Sequence, residues 1–255
     1  MIDLAQALSG FAVGVVVGLT GVGGGSLMTP ILVLFFNIHP ATAVGTDLLH
    51  AAITKTGGTY VHAKAGRVEW RIAGLLAAGS LPAAAATLSA LRYFTGGLGG
   101  SKIITVTLGT ALLLTAAVLV LRTCLRRLSK THAVEADQHP AYTVLTGTVL
   151  GFLVSISSVG AGALGVTALI FLYPQLKAAR IVASDVAHAV PLTLVAGLGH
   201  WLFGSVDWAL LFSLLVGSLP GIYLGSHLTG RVPEFMLRIL LAAILLVVGA
   251  KLIVY

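Results

Sequence analysis

The chain has 255 residues, of which 57% are hydrophobic and 9% charged, with a net charge of +7 and a mean hydropathy of +1.02. A water-soluble domain carries charge on about a quarter of its residues, so this composition excludes a soluble globular protein. With no solvated basic domain to hold it, nucleic acid is excluded as a partner too. The apolar stretches suit helices of about twenty residues better than the alternating ten-residue strands of a barrel. The expectation is an all-α polytopic protein of a bacterial inner membrane, with the lipid bilayer as its main environment.

In chain order, the opening MIDLAQALSG has no basic leader region and no small-residue cleavage site, so the first apolar block is expected to stay in the mature protein. That block, 4–36, is interrupted by LTGVGGGS at 19–26, and glycine is a poor helix former. Blocks 40–63, 70–92 and 102–122 follow. The stretch 122–140, RTCLRRLSKTHAVEADQHP, is the sustained polar segment and reads as a linker. Its Cys124 is the one cysteine, which permits neither an internal disulfide nor a thiolate metal cluster. Block 141–174 then carries a second break, VSISSVGAG, and blocks 178–203, 207–229 and 233–254 complete the chain.

The two sides of the linker repeat each other. At an offset of 137, Gly10, Gly14, Gly18, Gly23 and Gly25 fall on Gly147, Gly151, Ser155, Gly160 and Gly162. At 138, Asp47-Leu48-Leu49-His50-Ala51 overlies Asp185-Val186-Ala187-His188-Ala189, and His62 overlies His200. Gly66-Arg67-Val68-Glu69-Trp70 overlies Gly204-Ser205-Val206-Asp207-Trp208, and Gly79-Ser80-Leu81-Pro82 overlies Gly217-Ser218-Leu219-Pro220. Shared Asp, His and Trp are too rare here to match by composition. The chain therefore reads as a first membrane repeat over 1–121, a cytoplasmic linker over 122–140 and a second repeat over 141–255.

Basic residues choose between a first block that crosses once and one that turns back. Single crossings divide Lys and Arg eight to six. Re-entrant first blocks place Lys64, Arg67, Arg71, Arg122, Arg126, Arg127, Lys130, Lys177, Arg180, Arg231 and Arg238 on one side, against Arg92, Lys102 and Lys251 on the other. Eleven against three is the bias of a cytoplasmic face. Each repeat then crosses three times, so the two are expected to be inverted, with both termini periplasmic and the broken segments meeting near the midplane around a substrate.

Non-helical backbone at membrane depth is tolerated only where it is buried or lines a cavity. The helices restarting at about Ser26 and Ala163 aim their positive ends at that point, which suits an anion. Thr20, Gly21, Gly23, Gly24, Gly25 and Ser26 in the first break, and Ser157, Ser158, Gly160 and Gly162 in the second, are thus candidate substrate-binding residues. On the second block Asp47, His50, Thr54 and Lys55 fall at about 0°, 300°, 340° and 80° of a helical wheel, one face. Lys55 has no counterpart in the other repeat and is a candidate for the anion. Asp47, His50, Asp185 and His188 are candidates for proton coupling, since ionisable groups within a span are costly without a role. Trp70 and Trp208 read as interface anchors. Paired Asp and His at i, i+3 leave a divalent-metal transporter as the alternative. An intramembrane enzyme finds neither H-E-x-x-H nor G-x-S-x-G, and no Walker motif is present, so no catalytic residue, metal ligand or cofactor is assigned.

GVGGGS, PATAVGTDLL, HAKAGRVEW and the repeated ASDVAHAV and GSVDW resemble the TauE/SafE family of sulfite and organosulfonate exporters, over essentially the whole chain. The resemblance implies outward transport of a small sulfur-containing anion, or of a related oxyanion, across the cytoplasmic membrane. Where the family often has Thr-Ser after Val-Gly, this chain has Thr46-Asp47, and Ser184-Asp185 in the second repeat. Thr46 and Ser184 join the candidate substrate residues, and the neighbouring acids point to proton coupling.

Overall fold

Each apolar block becomes a helix in the computed structural model, and each long first block becomes two. The structure describes residues 3–20, 25–95, 102–129, 140–160, 162–227 and 234–254. These form α1 (Leu4–Thr20), α2 (Gly25–Phe35), α3 (Pro40–Lys64), α4 (Trp70–Thr95), α5 (Lys102–Ser129), α6 (Pro140–Ser157), α7 (Leu164–Leu172), α8 (Ala178–Leu202), α9 (Trp208–His227) and α10 (Glu234–Val254). Helix α5 runs on to Ser129, into the stretch read as linker, because a helix does not have to end where hydropathy falls. Among the described residues α4, α6, α8 and α9 are long and apolar enough to cross a membrane. The 25-residue α3 is as long as α8 but carries Asp47, His50 and Lys55, and those side chains are buried.

Local signals set the helix ends. The Asp3 carboxylate accepts the Ala5 N–H at 2.8 Å at the start of α1, and the Asp207 carboxylate accepts the Leu210 N–H at 3.0 Å at the start of α9. Helices α3 and α8 close with the same turn: Gly66 and Gly204 take positive φ of 63° and 72°. The following amides, of Arg67 and Ser205, donate to the carbonyls of His62 and His200.

The halves interlock. Helix α1 packs on α9 and α6 on α4, in each pair with the chains running the same way. A Cβ at Gly10 would lie 2.5 Å from the Leu214 carbonyl oxygen and one at Gly14 would lie 2.4 Å from that of Ser218. In the matching pair, a Cβ on Gly147 would lie 2.2 Å from the Leu76 carbonyl oxygen and one on Gly151 would lie 2.4 Å from that of Ser80. Helices α3 and α8 run antiparallel, with Gly45 against His200 and Gly197 against Leu49, and so do α5 and α10, with Gly109 and Leu113 against Gly249. The α1–α9 contacts recur between α6 and α4 with the halves exchanged.

The second break is a hairpin. Helix α7 returns beside α6, so that the Tyr173 hydroxyl lies 2.7 Å from the Thr143 hydroxyl, near the start of α6. One apolar core, with Met28, Leu32, Leu48, Leu112, Leu192 and Leu214 fully buried, draws on both halves. Large apolar side chains on the outer faces of α1, α6 and α9, such as Leu8, Phe152 and Leu219, are exposed, as lipid-facing residues are.

Candidate functional site

The break between α6 and α7 is built from Ser158, with φ 57°, and Gly160 and Gly162, with φ 123° and 109°. The latter two are values that residues with a Cβ seldom adopt. The Ser157 hydroxyl donates to the Leu153 carbonyl at 2.7 Å, and the Val159 N–H donates back to it at 3.2 Å. The Gly160 carbonyl accepts the N–H groups of Leu164 and Gly165 at 2.9 and 3.2 Å. These first amides of α7 are therefore occupied within the turn. The positive end of the restarted helix meets a negative group all the same: the Asp185 carboxylate lies against the backbone of Gly165, where a Cβ would fall 2.0 Å from Oδ1.

Asp47 makes the corresponding contact at α2 and also joins the halves. It is fully buried, and its Oδ2 accepts three hydrogen bonds: from the Thr29 N–H at 3.2 Å, the Thr29 hydroxyl at 2.6 Å and the Ser158 hydroxyl at 2.9 Å. A residue on α3 thus ties the restarted helix of its own half to the break of the other. Among the described residues its Oδ1 has no hydrogen-bond partner, and the His50 Nδ1 stands 4.0 Å away. The far nitrogen of that ring, Nε2, lies 2.8 Å from the Ser218 hydroxyl; the His188 Nε2 lies 2.8 Å from the Ser80 hydroxyl, the same contact with the halves exchanged.

Lys55 stands over this arrangement. It is 6% exposed, and its ammonium is held electrostatically by Asp185 and Asp47, with His188 also in range. Among the described residues it makes no hydrogen bond and no ion-pair contact. A buried ammonium without direct partners is costly unless something polar fills the space beside it.

The structure thus gathers Asp47, Ser158, Lys55, Asp185, His50 and His188. Thr46 and Ser184 do other work: the Thr46 hydroxyl accepts the Asp207 N–H at 3.1 Å, and the Ser184 hydroxyl accepts the Glu69 N–H at 2.8 Å. Both anchor the start of a neighbouring helix. Gly21, Gly23 and Gly24 lie outside the described residues, as do the side chains of Thr20 and Ser26; Gly25 begins α2. Thr29, Ser80 and Ser218 belong to the site without having been singled out for it, although the repeated Gly-Ser-Leu-Pro contained two of them. Among the described residues no three His, Cys, Asp or Glu side chains gather as a metal ion would require.

The family model described as sulfite exporter TauE/SafE matches residues 6–252. The chain is 40% identical over 250 residues to the probable membrane transporter protein YjnA of Bacillus subtilis, covering 96% of this chain and 98% of that one. It is 28% identical over 238 residues to the probable membrane transporter protein YdhB of the same organism (89% and 91% covered). It is 27% identical over 263 residues to the probable membrane transporter protein MJ0441 of Methanocaldococcus jannaschii (94% and 91%). No solved structure matches it.

Proposed function

From the premise that the chain belongs to the sulfite exporter TauE/SafE family of membrane transporters, we propose a secondary transporter or facilitator that moves a small sulfur-containing anion, sulfite or an organosulfonate, outward across the cytoplasmic membrane. The anion is held near the midplane between the two breaks, with Lys55 as its counter-ion. The observation that carries this reading is the Lys55 ammonium, buried in the field of Asp47 and Asp185 and lacking any direct hydrogen-bond partner among the described residues. The role assigned is passage, with no bond made or broken.

Charge counting brings protons into the cycle. Two carboxylates against one ammonium leave the ionised cluster net negative, which repels an anion. A proton taken up by Asp47 or Asp185 neutralises the cluster; His50, 4.0 Å from Asp47, and His188, three residues on from Asp185 in α8, are its proposed carriers. Anion and proton then bind together. A monoanion leaving a cell that is negative inside gains about 2.3 kcal/mol per 100 mV, so the outward direction needs no ATP provided the proton returns to the inner side; a proton released with the anion would cancel that gain.

The halves are placed as inverted repeats with both termini periplasmic. The antiparallel α3–α8 and α5–α10 pairs and the eleven-to-three division of basic residues support this. The test is sulfite flux in proteoliposomes: Lys55→Ala is expected to abolish it while the protein stays folded. Undiminished flux in that variant overturns the reading.

A further inference from the structure

Several contacts of the two halves match, as at His50–Ser218 and His188–Ser80, but those of His200 and His62 differ. His200, near the end of α8, is 1% exposed and its Nε2 donates to the Ser155 carbonyl at 2.8 Å. Ser155 lies in the last turn of α6, just before the second break, where helix carbonyls have no partner within the helix. The equivalents are His62 and Gly18. His62 is only half-buried, and its side chain makes no such bond among the described residues. The difference extends along a face: Ala196, Gly197 and His200 of α8 are buried, whereas Gly58, Thr59 and His62, in the same places on α3, are half-buried.

The bias is written in one residue pair. A Cβ on Gly45 would lie 2.2 Å from the Ser205 carbonyl oxygen and 2.9 Å from the His200 Cβ, so the turn after α8 closes directly onto the start of α3. The equivalent of Gly45 is Ala183, fully buried, which carries a Cβ at the matching point; the Glu69 N–H of the turn after α3 still donates to the Ser184 hydroxyl, as the Asp207 N–H does to that of Thr46.

We infer that His200 and His62 are paired gate residues: the structure is the state closed where the turn after α8 meets α3 and open along the second half of α3, and in the other state His62 seats on the Gly18 carbonyl while His200 leaves Ser155. Both act by positioning the half-helices around the site, and neither touches the anion. The inference rests on the transporter reading but not on which anion is carried.

The test uses the full chain with Cys124→Ser in liposomes, without substrate, and reads maleimide labelling of Gly58→Cys or Ala196→Cys. Gly58 has room for a side chain, its nearest neighbour atom being 3.7 Å from a Cβ there, and Ala196 is fully buried. Position 58 is expected to label about tenfold faster than position 196. His200→Ala and Gly45→Ala raise the rate at 196 and lower it at 58; His62→Ala does the reverse; His200→Gln, which keeps an N–H for the Ser155 carbonyl, restores the original rates. Should His200→Ala unfold and label at both positions, Gly45→Ala and His200→Gln decide in the same way. Equal rates at the two positions, or His62→Ala shifting the probes in the same direction as His200→Ala, overturn the inference. Because no anion is present, such a result leaves the proposed substrate standing, and an absence of sulfite flux leaves the gate standing.

Discussion

Asp47 concentrates three donors on one carboxylate oxygen, two from its own half and one from the other. Removing it strands buried N–H and O–H groups, each costing about 1–3 kcal/mol. Asp47→Ala is therefore expected to lower the unfolding temperature clearly, whereas Asp47→Asn, whose amide oxygen still accepts, lowers it less; equal losses would show that the hydrogen bonds contribute little. The same pair of variants reports on the charge. With a sulfonate as ligand, which stays ionised, affinity is expected to strengthen as pH falls, by up to about tenfold per unit for one coupled proton. Asp47→Asn holds that position neutral and flattens the dependence, and a wild-type affinity indifferent to pH would remove proton coupling from the account. Asp47, His50 and Lys55 were legible because ionisable letters are rare in an apolar block and fell on one helical face. Thr29 and Ser158 were not, since nothing in local periodicity says which hydroxyl from a distant segment will meet a carboxylate.

Between helices, lipid removes the hydrophobic drive for association, and close backbone approach takes its place. Gly221 shows how tightly the α1–α9 seam is drawn, with the Phe11 carbonyl oxygen 2.4 Å from where a Cβ would stand. Backbone on both sides cannot yield as a side-chain tip would. Gly221→Ala is expected to destabilise by about 1–3 kcal/mol through overpacking. Gly74→Ala in α4, with nothing within 4 Å of the added carbon, is expected to be neutral or to stabilise by up to about 1 kcal/mol through helix propensity. Thermal unfolding of the two variants in one detergent compares them; similar losses would remove the seam as a source of stability. The repeated glycines thus separate into two uses. Those before each break, such as Gly14 and Gly151, permit packing, while Gly160 and Gly162 permit backbone angles. Spacing alone made them look like one motif. Element limits were far more legible: α3 spans 40–64 where the apolar block spans 40–63, and α8 spans 178–202 against 178–203. The return of α7 beside α6 was not settled by hydropathy, which has no sign for direction, and was reached only through the distribution of charge.

At the scale of the molecule, the exchange of contacts and the membrane constrain each other. Two helices in equivalent places of the sequence repeats, α3 and α8, run antiparallel, as do α5 and α10. If these four lie across the bilayer, one half enters from each side. The hairpin of α6 and α7 brings Tyr173 back to the level of Thr143, so its two ends share a side, and the following helix starts from there. Applying the same path to α1 and α2 gives the proposed three crossings per half, with the two termini on one side and the 122–140 segment proposed on the other. Basic residues decide which side is the cytoplasm, because Lys and Arg accumulate in cytoplasmic loops, and Arg122, Arg126, Arg127 and Lys130 fall in that segment. The expectation is that tags at both termini react with an impermeant reagent in cells whose outer barrier is opened, while a tag within 131–139 reacts only after the inner membrane is broken. A terminus reached only after lysis would mean that the first block crosses once. It would also take the first break out of the shared midplane that Asp47 and Lys55 are proposed to organise.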